Sequence, residues 1–93
     1  MDKVEIRPEI MAFAEAMEAE MARHDIEYGD SWKDLILGVL LDLVQSHLEF
    51  MALAWIKIME ENDGKEEISH EAIDIANFAM MIFYNVGEKE VRH

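Results

Sequence analysis

SHEAIDIANFAMMIFYNV, residues 69–86, reads at helical period and is apolar round most of its circumference, with Glu71, Asp74 and Asn77 among the interruptions. Glu71 and Asp74 lie one helical turn apart and so share a face. An ionised carboxylate withdrawn from water is costly unless it is paired, hydrogen-bonded or metal-bound, so an apolar helix carrying two of them implies a cationic partner nearby.

Outward from this helix the chain reads as two more helices joined by short breaks. Asn62-Asp63-Gly64 is the clearest turn, and Ser69 is placed to cap the third helix, which should end near Gly87 before a polar tail of residues 88–93. The second helix follows Ser31-x-x-Asp34, in which the serine hydroxyl suits an N-cap, and extends from Trp32 to Glu61, with Gly38 as its weak point. The first helix begins near Pro8, whose fixed φ suits a first turn, and runs to about His24. Its stripe of Ile10, Phe13, Met17 and Met21 reads as a cover for the other two. No segment alternates at strand period, so the expectation is a single all-α domain over residues 1–93.

Composition narrows the function classes. Eight Lys and Arg against 21 Asp and Glu give a net charge of −13, which repels nucleic-acid phosphates and anionic lipid and attracts divalent cations. The absence of cysteine excludes disulfides and thiolate chemistry. The N-terminal stretch MDKVEIRPEI holds no apolar signal core, so a cytoplasmic location is expected. Leu35 to Met59 is long enough to span a bilayer, but Asp42, Gln45, Ser46, His47 and Glu49 in its middle argue against that. An apolar fraction of 52% exceeds what so small a chain can bury, so part of that surface should meet a partner, most simply another copy.

On the second helix Asp42, Gln45, Ser46 and Glu49 fall on one stripe. If the second and third helices fold back on each other at Asn62–Gly64, this stripe can face Glu71 and Asp74 and focus oxygen ligands on a small volume. Oxygen ligands suit Mg²⁺ or Mn²⁺ rather than zinc, and Mg²⁺ usually shares its coordination with substrate phosphates. His47 lies about 100° round the helix from Ser46 and so off the stripe, and His70 reads as exposed, so neither is expected to be a ligand.

These residues carry a resemblance. A helix with spaced acidic positions, a short linker and a helix reading Glu71-Ala72-Ile73-Asp74-Ile75-Ala76-Asn77-Phe78 are together similar to the MazG-like all-α nucleoside triphosphate pyrophosphohydrolases. RPEIMAFAEAMEAEM in the first helix and Ser31-Trp32-Lys33-Asp34 extend the likeness. The first acidic motif departs from it: Gln45-Ser46-His47-Leu48-Glu49 stands where the family would have Glu-Glu-x-x-Glu. The resemblance implies a MazG-like helical bundle completed by oligomerisation to a homodimer or homotetramer, and Mg²⁺-dependent cleavage of a nucleoside triphosphate to monophosphate and pyrophosphate. It assigns metal binding to Glu49, Glu71 and Asp74; Asp42, two turns from Glu49 on the same stripe, or Gln45 is placed to assist. It also brings Lys33 toward phosphate and Asn77 near the site. The alternative is a divergent or engineered helical oligomer without catalysis, because Leu48, Met51, Ala52 and Trp55 add apolar area on the same helix that lacks acidic residues.

Overall fold

The computed structural model describes residues 4–91, with side chains described as far as Gly87. It is all-helical: α1 (Pro8–Tyr28), a 3-10 turn (Ser31–Asp34), α2 (Leu37–Glu61) and α3 (Lys65–Val91). Pro8 opens α1 as its residue type predicts, and Gly29, at φ +52°, closes it four residues beyond the expected His24. Ser31 makes no cap. It starts the 3-10 turn, which is followed by extended backbone at Leu35 and Ile36 before α2 begins. Gly38 causes no break in α2.

The reversal between α2 and α3 follows the local chemistry of Asn62-Asp63-Gly64. Asn62 adopts the left-handed conformation at φ 54°, and its N–H donates to the Ile58 carbonyl at 3.0 Å. Asp63 Oδ1 accepts from the Gly64 N–H at 2.9 Å. Gly64 has φ +118°, and a Cβ there would sit 2.8 Å from the Ala54 carbonyl oxygen, so this position needs glycine on both counts. Its carbonyl accepts from Ile68 N–H, which starts α3 at Lys65 rather than Ser69. At the other end α3 runs through Gly87 to Val91; residues 92 and 93 of the expected polar tail lie outside the described residues.

α2 and α3 pack along most of their length, α1 lies across α3, and the 3-10 turn rests on the C-terminal part of α3. Two asparagines of α3 hold these pieces. Asn85, 5% exposed, donates from Nδ2 to the carbonyls of Trp32 at 3.1 Å and Leu35 at 3.4 Å, while Asn77, 4% exposed, donates to Met17 O at 3.2 Å. Trp32 meets the ring of Tyr84 edge-on at 5.4 Å.

Burial is sparse. Among the described residues the buried apolar side chains are Leu40, Ala54 and Met81. The radius of gyration is 15.5 Å, against about 12 Å for a compact chain of this length. α1 covers less than its stripe predicts, since Ile10 and Phe13 are exposed and only Met17 and Met21 are partly sheltered. α2 is long and apolar enough to cross a membrane by length and composition.

Candidate functional site

The buried stripe of α2 is Leu40, Leu43, His47, Met51, Ala54 and Ile58, spaced by three and four. His47 is therefore an inward-facing residue, and it meets the carboxylates of α3. Its Nδ1 lies 2.5 Å from Glu71 Oε2 and 3.7 Å from Asp74 Oδ2, with Phe78 and Phe50 beside the ring. From the opposite side α1 contributes Glu20, whose carboxylate accepts from Arg23 at 2.8 Å and lies 2.9 Å from His70 Nε2. His70 in turn lies 3.7 Å from Asp74. Two groups result, Glu20–His70–Asp74 and His47–Glu71–Asp74. Within each, the candidate ligand atoms lie within 4.8 Å of one another, and Asp74 belongs to both.

The electrostatics of the group are uneven. Burial pushes the Asp74 carboxyl above its ordinary value of 3.8; the imidazoles of His70 and His47 pull against that shift, and Glu20 adds to it. Glu20 moves the other way, chiefly because Arg23 hydrogen-bonds its ionised form.

The cluster borders a cavity of about 540 Å³ between α1, the 3-10 turn, α2 and α3. Glu20, His47, Asp74 and Asn77 line it together with an apolar remainder that includes Trp32, Tyr28, Leu43 and Phe78. Asn77 Oδ1 is buried without a hydrogen-bond partner, although the Nδ2 of the same amide is satisfied. A buried acceptor left open beside carboxylates and imidazoles suits a bound cation or its water.

Of the residues expected at the site, the structure brings Asp74 and Asn77 to the cavity and Glu71 to His47 and Asp74 at its edge. It does not bring Glu49 or Asp42 there. Both are exposed, along with Gln45 and Ser46, on the side of α2 turned away from α3. The stripe that looked ready to face Glu71 is thus the solvent face, because Leu40, Ala54 and their neighbours form the more apolar contact with α3. Lys33 is also exposed, 3.4 Å from Asp30 and above the rings of Trp32 and Tyr84, outside this cavity. Two residues set aside on sequence, His47 and His70, face the carboxylates, and Glu20 was not anticipated at all. His47 left a signal, as the single polar residue at the spacing of the α2 apolar stripe. Glu20 left none, since it reaches His70 across 50 positions of chain.

With one imidazole and two carboxylates in each group, the donor sets fit a divalent ion that accepts both nitrogen and oxygen better than they fit the all-oxygen preference of Mg²⁺. No protein-family model, curated protein or solved structure matches this chain. The likeness to the MazG-like enzymes rests on the quoted motifs.

Proposed function

We propose that this protein hydrolyses nucleoside triphosphates to monophosphate and pyrophosphate, using a divalent cation held by Glu71 and Asp74. The observation that carries this reading is the convergence of those carboxylates with His47, of which Asp74 and His47 line an aromatic-bordered cavity whose volume lies in the small-ligand range.

Glu71 and Asp74 would hold the ion, with His47 completing the donors and Mn²⁺ the better-matched metal; Mg²⁺ is the second to test. A divalent ion there supplies positive charge to phosphoryl oxygens and acidity to a water molecule. Trp32, Tyr28 and Phe78 offer the nucleobase an apolar bed with faces for stacking. In a chain of net charge −13 the bound triphosphate depends on that cation for neutralisation.

The test is incubation with mixed ribo- and deoxyribonucleoside triphosphates in Mn²⁺, Mg²⁺ or EDTA, with quantification of monophosphate and pyrophosphate. Metal-dependent appearance of both products is expected. Asp74→Ala should lower turnover by roughly 100-fold or more while helicity persists, the scale of losing a charge-organising group. Absence of product with either metal at high protein concentration would overturn the reading.

A further inference from the structure

We infer that Arg23, His24 and His70 form a phosphate site between α1 and α3, and that the Glu20 carboxylate occupies it in the unliganded chain. The site is read from its own side chains; that its ligand is the terminal phosphates of a nucleoside triphosphate rests on the hydrolase reading.

Three basic side chains surround one carboxylate. Arg23 Nε and Nη2 each donate to Glu20 at 2.8 Å, His70 Nε2 lies 2.9 Å from Glu20 Oε2, and His24 Nε2 lies 3.8 Å from the same oxygen. The Glu20 side chain is 12% exposed and that of Arg23 61%, so the anion sits inside and the cation faces outward. A simple surface pair three residues apart on a helix leaves both groups in water. Here a histidine from another helix closes over the carboxylate.

A guanidinium offers five N–H donors in a planar fork that fits two phosphate oxygens as well as it fits a carboxylate. Glu20 engages Nε and Nη2, and Nη1 has no partner among the described residues, so a phosphate can begin to bind before Glu20 leaves. With more oxygens than a carboxylate, a phosphate can accept from Arg23 and both imidazoles together.

The ring adjoins the metal group. Asp74 Oδ2 lies 3.7 Å from both His70 Nε2 and His47 Nδ1, and Glu20, His24 and Asp74 line the same cavity. A phosphate held by Arg23 is therefore beside an ion held by Glu71 and Asp74. The guanidinium on Glu20 opposes a second cation in the Glu20–His70–Asp74 group. Lys33, which the family likeness brings toward phosphate, lies outside the cavity over Trp32 and Tyr84, and Arg23 takes its part. Glu20 must swing aside for the ligand, so removing its charge should tighten the site.

Calorimetry with inorganic pyrophosphate in EDTA tests the site without turnover, in about 0.15 M salt so that distant charges are screened. The wild type should bind, and Arg23→Gln should weaken binding by about 10- to 100-fold, the scale of charge-assisted hydrogen bonds. Glu20→Gln should tighten binding by about 10-fold, because the internal competitor loses its charge. Glu18→Gln removes the same charge from an exposed position two residues away and should change binding by no more than about two-fold. Unchanged binding in Arg23→Gln, weaker binding in Glu20→Gln, or no binding by either the wild type or Glu20→Gln would overturn the site. Equal tightening by Glu18→Gln and Glu20→Gln would overturn the occupancy by Glu20. A nucleoside triphosphate, titrated in the same buffer, should lose affinity in Arg23→Gln by the factor seen for pyrophosphate. A loss for pyrophosphate alone would overturn the assignment to substrate and leave a site for free phosphate. With metal absent, these results stand whether or not Mn²⁺ supports hydrolysis.

Discussion

α2 and α3 are neighbours of similar length whose apolar surface meets opposite fates. α3 is covered on two sides, by α2 and by α1 with the 3-10 turn, and its least exposed side chains include the polar Asn77 and Asn85. α2 is the more apolar of the two, yet only 11% of its most apolar 18-residue window is buried. Burial here follows the supply of neighbours rather than side-chain hydropathy. The asparagines can be buried because α1 and the irregular Trp32–Leu35 segment present carbonyls that their amides satisfy.

The largest effect that could break this contrast is at Leu40, the one fully buried large side chain. Leu40→Ala should cost about 3 kcal/mol by chemical denaturation. The loss should be the same at every protein concentration, because Leu40 packs within the chain. By contrast, Leu53→Ala at an exposed α2 position should stay within about 0.5 kcal/mol. Equal losses at both sites would mean that α2 is buried on every face. Next in size is Asn85→Ala, which strands the Leu35 carbonyl and leaves the Trp32 carbonyl with the Leu35 N–H alone; it should cost about 1–2 kcal/mol, with a matching change in Trp32 fluorescence. A neutral result there would remove α3's polar clamp from the comparison.

The smallest effect is electrostatic. The folded-state value of Asp74 is raised, so its contribution to stability is fully present below the ordinary value of 3.8 and is lost as pH rises through the raised value. Asp74→Asn should therefore give a small rise in the Tm of the metal-free protein at neutral pH and none in strong acid. Glu20 has the opposite sign: its lowered value contributes stability above the ordinary 4.5 that is lost on acidification. Thermal melts of Asp74→Asn and Glu20→Gln across pH should diverge accordingly, and parallel curves would show that the two carboxylates share one environment.

Much of the site's chemistry was legible before its geometry. Glu71 and Asp74 stand out because a carboxylate on an apolar helix is conspicuous in any fold, and both do acquire cation-capable partners. The identity of those partners was not legible. Glu49 shares the acidic look of a ligand, whereas His47 resembles a core histidine, and the structure reverses their roles.

What the chain determines locally it determines well: Pro8 opens a helix, Asn62-Asp63-Gly64 reverses direction, and side chains three and four apart share a face. These features depend on backbone sterics within a few residues, so they can be read one segment at a time. Only tertiary structure decided the rotation of α2 about its own axis. Helical periodicity sets the angle between two residues of one helix but not which of them points at the next helix, and α2 carries two seams of comparable hydrophobicity. Packing of Leu40 and Ala54 against α3 selected one of them, brought His47 to Glu71, and left Leu48 and Trp55 outside.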